Sequence, residues 1–506
     1  MQTVDLQSRQ GRGILAATIM VSGMAAFLGR TISIALPAIQ ASFHASISDI
    51  QWIISAYSLV LSIFTLLSGK ICDSLGTRKV FIGGLLLFSL GALLSALSQT
   101  ILQLILSQVV LGLGGVFMLP AGLAVINLSY RDDQKGRAIG LWAGLGAGFG
   151  VLGLLTGGFI VEYLGWRSGF LAMLPIGAAT LWLAVRSIPA LPATGRLAIN
   201  IPGSVALSLG LLGISYALIY GPVRGWLTLT IMVPGLLGLI AMWIFRQSER
   251  TSSRPLIPAD FFHINPVVWP NLITFFLYFS LNGLYVFLIL FFQQLFGYAP
   301  GAAGMAMLPP SLAVMILSSY FGKLGDRLNP KLLLAAGTGL TTLGMLLLLT
   351  VDIEANYFSS FLPRLLLIGL GMSMFVAPIT KLAVAVTREY SGVASGLNNT
   401  VARISGLMAM AILGSVLAVT FSAELERGLE QAGLSVDNQA LVLAQSGQLQ
   451  QIELPPEISP SVEADIRAQI DHALLYAYRF TMGINALFVL VSFMLSMAYL
   501  VRRQLC

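Results

Sequence analysis

Apolar runs of about 20 residues alternate with short polar breaks along the whole chain, and this alternation predicts its architecture. A run of that length lets a helix cross a hydrocarbon core of roughly 30 Å and is too long and uniform for a transmembrane strand. Fourteen runs are present, at 14–37, 50–68, 80–98, 101–126, 138–160, 167–186, 202–221, 227–245, 267–291, 301–321, 332–351, 358–380, 393–420 and 475–500. They predict fourteen spanning helices. The first, Ile14 to Pro37, is too long for a signal-peptide core and lacks a convincing cleavage site, so it is expected to be retained as a span.

Two polar breaks are versions of one another. Gly69-Lys70-Ile71-Cys72-Asp73-Ser74-Leu75-Gly76-Thr77-Arg78-Lys79 follows the second span, and Gly322-Lys323-Leu324-Gly325-Asp326-Arg327-Leu328-Asn329-Pro330-Lys331 follows the tenth. Gly, Lys, Asp and a final base fall in register, which predicts two related halves. Spans seven and eight carry no such knot and read as an inserted pair. The expected organisation is a six-helix bundle over 1–190, the inserted pair with its linker over 191–265, and a second bundle over 266–506 with an external loop at 422–474.

Composition and charge agree with a membrane protein. The chain is 57% hydrophobic and 10% charged, against about 25% charged in a soluble domain. Twenty basic residues fall on one set of alternate loops and the termini, and five (Arg167, Arg224, Arg427, Arg467 and Arg479) fall on the other. By the positive-inside rule both termini are expected in the cytoplasm, with the protein multi-pass in the plasma (inner) membrane. The net charge of +7 is then a topology signal, with no nucleic-acid partner implied. Cys72 and Cys506 both fall on the cytoplasmic side, so no disulfide is expected. His44, His263 and His472 form no metal constellation, no cofactor is called for, and no catalytic constellation supports an enzyme. The lipid bilayer is the evident partner and a monomer is expected.

The knots need explanation beyond anchoring. A short hairpin calls for the glycines Gly69 and Gly76. Positive-inside anchoring accounts for Lys70, Arg78 and Lys79 but leaves Asp73 and its repeat Asp326 unexplained. The loop at 422–474 holds nine acids against Arg427 and Arg467, with a short helix expected from Ser459-Pro460; it reads as a solvated acidic cap or as a vestibule. The stretch Gln247 to Ile264 is expected to be a cytoplasmic linker.

No acid of the 21 lies mid-span, so what remains inside is basic and amide. Arg30, Arg364 and Gln108 each sit about seven residues from the outer end of their spans. Tyr278, Asn282 and Tyr285 share one face of span nine, and Arg403 joins Asn398 and Asn399 in span thirteen. A buried arginine is costly and faces a cavity or a partner. Several of them without a buried carboxylate suggest a site for an anionic or zwitterionic head group. For Arg364 and Arg403, bonding to helix carbonyls or snorkelling is the competing reading. Span five is rich in glycine, and Gly146, Gly150, Gly153, Gly157 and Gly158 are expected to allow close packing across the half interface.

Fourteen spans, with Gln51-Trp52 and Tyr57, the knots, Gly136-Arg137-Ala138-Ile139-Gly140, Phe292-Gln293-Gln294 with Gly297-Tyr298, and Gly392-Val393-Ala394-Ser395-Gly396, resemble the major facilitator superfamily, in particular its fourteen-helix drug-exporter branch (EmrB/QacA type). The resemblance implies two six-helix bundles around a midplane cavity that opens alternately to each side. It places Gly69, Lys70, Asp73, Gly76, Arg78, Lys79, Gly322, Lys323, Asp326 and Lys331 in a cytoplasmic gate, with Asp73 near a helix N-terminus of the opposite half and Arg78 paired with Asp132 or Asp133. Arg30, Gln108, Tyr278, Asn282, Tyr285, Gln293, Arg364, Asn398 and Arg403 are the expected substrate-binding residues.

The chain departs from the family at its coupling residues. The usual aspartate before Ala35-Leu36-Pro37 aligns with Leu28, the usual arginine of span four with Gln108, and the proline of the span-five motif with Leu154. Those departures tell against proton antiport of cationic drugs. Protons remain a candidate coupling ion only through an acid at a span end, such as Asp49 or Glu162. The implied function is alternating-access export of hydrophobic or amphipathic compounds. An exporter or flippase of an anionic amphiphile, and a non-transporting membrane sensor, are the alternatives.

Overall fold

The computed structural model describes residues 4–189, 200–252, 255, 265–383, 391–431, 436–454 and 460–501. Among them the chain is helical throughout, the one β-bridge pairing Val4 with Tyr130. The first half contains α1 (Arg9–Phe43), α2 (Ile47–Leu75), α3 (Thr77–Leu97), α4 (Ile101–Ser129), α5 (Asp132–Leu164) and a sixth span broken into α6 (Trp166–Leu171) and α7 (Met173–Ser187). The inserted pair is α8 (Ile201–Arg224) and α9 (Leu229–Thr251). The second half contains α10 (Asn265–Gln294), a span broken into α11 (Pro300–Ala306) and α12 (Leu308–Arg327), α13 (Pro330–Leu348), a π-helical turn at Tyr357–Phe361 leading into α14 (Leu362–Ala383), α15 (Ser391–Gln431), the short α16 (Val436–Ala444) and α17 (Pro460–Val501). Fourteen of these stretches are long and apolar enough to cross a membrane, in agreement with the runs read from the sequence.

Local chemistry fixes several boundaries. Ser46 and Asp49 form a reciprocal capping box at the start of α2: the Ser46 hydroxyl accepts from the Asp49 N–H and the Asp49 carboxylate accepts from the Ser46 N–H. Pro300, Pro330 and Pro460 stand in the first turns of α11, α13 and α17, where a missing N–H costs nothing.

The internal repeat is visible in the packing. In the first half α1 packs on α5, α3 on α4, α2 on α4 and α3 on α7. In the second half α10 packs on α15, α13 on α14, α12 on α14 and α13 on α17, which is the same scheme. Between the halves α1 meets α10, while α2 lies against α15 and α5 against α11 and α12. That exchange is the contact pattern of a pseudo-two-fold relation. The inserted helix α8 rests on α2 and α15 and covers that side of the junction, with the Ser415 hydroxyl donating to the Leu218 carbonyl.

Four expectations are corrected. Gly69 lies inside α2, so the first hairpin turns on Gly76 alone, at φ 88°. In the second knot Gly322 and Gly325 both lie inside α12; the turn is made by Leu328, Asn329 and Pro330, with Oδ1 of the Asn329 side chain accepting from the Lys331 N–H. The helix starting near Pro460 and the last span are one helix of 42 residues, because Ile466, Ile470, Ala473 and Ala477 continue a buried stripe into the span with no breaker between them. Finally, Gly146, Gly150, Gly153 and Gly157 pack against α1 of their own half, on Ser22, Ala26, Phe27 and Thr31; only Gly158 crosses, onto Pro300 and Gly301. Of the expected linker, Gln247 to Thr251 prolong α9, and 253–254 and 256–264 lie outside the described residues.

Candidate functional site

Arg30 projects from the middle of α1 toward the second half. Gly153 on α5 clears the way for it, since a Cβ there would come within 2.6 Å of the Phe27 carbonyl oxygen and 3.2 Å of Arg30 Cβ. The guanidinium carbon lies 3.5 Å from the ring centroid of Tyr285 on α10, and the Tyr285 hydroxyl is 2.8 Å from that of Ser311 on α12. Among the described residues Arg30 makes no hydrogen bond and no ion pair. A largely buried cation held only by an aromatic face keeps its N–H donors for something else.

Arg403 on α15 is a second half-buried cation. It lies within electrostatic reach of the hydroxyls of Tyr57 on α2 and Tyr278 on α10, and no hydrogen bond joins it to another described residue. Asn282 lies between this cluster and α15, its side chain donating to the Tyr278 carbonyl at 2.7 Å and packing on Gly406. Tyr57 also lines a cavity of about 50 Å³ inside the first half, at whose base sits the fully buried Gln108.

Three expected ligands are otherwise engaged. The Arg364 guanidinium donates to the carbonyls of Leu347 (2.8 Å), Ser359 and Ser360 and to the Thr350 hydroxyl (3.0 Å), so it caps the end of α13 and the π-helical turn. These bonds engage all three of its nitrogens and commit it to the helix ends rather than to the site. Gln293 donates across the halves to the Ile34 carbonyl at 2.9 Å. Asn398 donates to Asn271 and Thr274 within its own half.

The face that carries the N-terminus and the knots is held partly by cations on carbonyls and rings. Arg78 donates to the Val185 carbonyl at 2.7 Å, in the last turn of α7, where the helix dipole favours a cation. Lys331 lies 4.1 Å from the Tyr499 ring centroid, tying the second knot to α17. Lys79 and Lys323 are exposed. The side chains of Lys70, Asp73, Asp132, Asp133 and Asp326 lie outside those described, and with them the acid partner expected for Arg78. The N-terminal tail docks on the same face: the Val4 N–H donates to the Ser129 carbonyl, the Leu6 N–H to Gln134, and the Gln134 side chain to Asp5. The Gln134 hydrogen bond, then that from the Gln7 N–H, holds the Asp5 carboxyl below its usual range.

At the opposite, loop-bearing face, amides join the halves. Gln294 donates to Gln40 at 2.7 Å, Gln40 to the Gly447 carbonyl at 3.2 Å, Gln451 to the Pro37 carbonyl at 3.0 Å, and Gln51 to the Met410 carbonyl at 2.8 Å. Glu162 accepts the Gly301 N–H at 3.0 Å, in the first turn of α11. A carboxylate of one half at a helix N-terminus of the other was expected at Asp73, and here Glu162 provides one on the other face. Sequence reasoning missed this seal because a glutamine near a span end looks like an ordinary boundary residue; the only hint was their number around Pro37 and Phe292.

Two repeated helical halves with fourteen membrane-length helices meet around Arg30, which has no hydrogen-bonding or ionic partner among the described residues, and its family and relatives place the chain among membrane transporters. It belongs to the major facilitator superfamily, whose family model matches residues 15–410. It is 30% identical over 421 residues to the multidrug resistance protein Stp of Mycobacterium tuberculosis, covering 82% of this chain and 78% of that one. It is 29% identical over 391 residues to the cephamycin export protein CmcT of Amycolatopsis lactamdurans, covering 76% and 80%. Its fold is similar to the crystal structure of a bacterial homologue of the human lysosomal transporter Spinster in an inward-facing, occupied conformation, with a TM-score of 0.62, 16% identity and coverage of 96% and 95%.

Proposed function

We propose that this chain exports amphipathic small molecules from the cytoplasm by alternating access, and that its central site favours an acidic or zwitterionic head group. The observation that carries the reading is Arg30, held between the halves on Tyr285 with no hydrogen-bonding or ionic partner among the described residues. Arg403 beside Tyr57 and Tyr278 supports it, as does the absence of any mid-span acid among the 21 in the chain. The distribution of basic residues favours cytoplasmic termini and knots in the plasma membrane. Similarity to a multidrug resistance protein and a cephamycin export protein favours export of drug-like compounds. Both knots act in this reading as the cytoplasmic gate, with Asp73 and Asp326 as its anionic members.

Proteoliposomes loaded in turn with anionic, zwitterionic and cationic amphiphiles of matched apolar size test the proposal. Faster flux of the acidic and zwitterionic compounds, slowed by Asp73→Asn without loss of folded protein, is the expected result. Equal flux of the cationic set, or flux indifferent to Asp73, would overturn the head-group and gate readings respectively.

A further inference from the structure

The cavity inside the first half is apolar on nearly every side, walled by Leu28 and Ile32 of α1, Ile53 and Ile54 of α2, Phe88 of α3 and Leu111 of α4. Its polar end is unusual. Gln108 is fully buried, and its Nε2 donates to the Ser95 hydroxyl at 3.2 Å. The Ser95 hydroxyl lies 2.8 Å from the Gly91 carbonyl of its own helix and 2.7 Å from the Ser107 hydroxyl, and these neighbours engage its proton, so Ser95 receives from Gln108. With the amide in this orientation, Gln108 Oε1 is buried with no hydrogen-bond partner among the described residues. A buried acceptor without a donor is costly, and water is the ordinary remedy only where several polar groups surround it. Here the other polar side chains on the wall are Ser33, whose proton goes to the Gly29 carbonyl, and Tyr57.

We infer that Gln108 Oε1 is a ligand-reading acceptor: this cavity takes the far, uncharged end of the substrate, and that end carries an O–H or N–H donor. Tyr57 relates the two parts of the site, because it lines the cavity beside Gln108 and its hydroxyl feels the charge of Arg403. A molecule lying past Tyr57 would place its anion on the guanidinium groups and its hydroxyl or amide N–H on Gln108, with an apolar body between them. This assignment rests on the acidic-head-group reading above and narrows it to acidic amphiphiles with a neutral hydrogen-bond donor at the opposite end.

The test uses the purified full-length chain and three medium-chain probes: a plain alkanoate, the ω-hydroxyalkanoate and its ω-methyl ether, each titrated by calorimetry. The wild type is expected to bind the hydroxy acid about tenfold more tightly than the ether, since only the hydroxyl offers a donor. Gln108→Leu and Gln108→Met should bring that ratio to about one while the plain alkanoate binds at least as well as before. The thermal midpoint of each variant reports whether it folds, and the wild-type ratio stands without either of them. An equal affinity of wild type for hydroxy acid and ether, or a ratio that survives in Gln108→Leu, overturns the inference and leaves water as the occupant of the cavity. Matched alkylammonium probes separate the two readings: if they bind as well as the alkanoates, the acidic-head-group reading fails, whatever Gln108 discriminates.

Discussion

The guanidinium carbon of Arg30 in the first half lies 3.5 Å from the ring centroid of Tyr285 in the second, so a cation of one bundle is seated on an aromatic face of the other. Arg30→Ala is expected to weaken binding of anionic amphiphiles about tenfold while leaving cationic ones unchanged or improved. Arg30→Lys keeps the charge but loses the planar stack and the fork of donors, so it should recover only part of that affinity. Calorimetry with one anionic and one cationic probe of equal apolar size checks both variants.

The glycines of α5 divide into two groups with opposite expected responses. At Gly153 a Cβ would sit 2.6 Å from the Phe27 carbonyl oxygen, so Gly153→Val should force α1 and α5 apart and cost about 1–3 kcal/mol. Nothing lies within 4 Å of the corresponding position at Gly148, and Gly148→Ala should change stability by less than about 1 kcal/mol, in the stabilising direction. Thermal midpoints in detergent distinguish the two.

For the seal at the loop-bearing face, Gln294→Leu removes the donor to Gln40. Loss of about 1 kcal/mol from the closed arrangement would raise the loop-open population roughly fivefold. A cysteine introduced at Ser33, on the wall of the cavity, should then react faster with an impermeant thiol reagent added from that side. Gln40→Leu combined with Gln294→Leu should cost less than the sum of the two single changes, because each removes the same bond.

Asp5 gives the docked N-terminal tail a pH dependence whose sign follows from its neighbours. The Gln134 side chain and then the Gln7 N–H lower its pKa from the usual 3.8, so the charged form favours docking. That contribution is fully present above 3.8 and is lost as pH falls through the depressed value. Hydrogen exchange over residues 4–12, corrected for intrinsic rates, should be flat through neutral and mildly acidic pH and rise only in strong acid. Asp5→Ala should raise it at neutral pH and abolish the further rise in acid, and Gln134→Ala, which also removes the acceptor of the Leu6 N–H, should raise it throughout.

The number of spans, the two halves and the inserted pair were all legible in the chain, because long apolar runs, basic loops and a repeated knot are local signals. What needed three dimensions was partnership. Arg30 and Arg364 look alike in sequence, each a lone base inside an apolar run. One ends on a ring with its donors free, and the other meets the carbonyls of Leu347, Ser359 and Ser360 at the end of a neighbouring helix. The glycines of span five surround their helix, so sequence alone could not say that four of them face α1 and one faces α11. Nor did the sequence show that Tyr57 and Gln108 line one cavity.

The amide seal has an electrical consequence. Moving one elementary charge through a membrane potential of 100 mV is worth about 2.3 kcal/mol. Gln40, Gln51, Gln293, Gln294 and Gln451 carry no formal charge, so parting them offers the field nothing to pull on. Among the described residues the charges available to sense voltage in the centre are Arg30 and Arg403, and the acidic cargo proposed above would neutralise part of them. An occupied carrier would then cross with a smaller electrical load than an empty one, which makes the return stroke the voltage-sensitive half of the cycle.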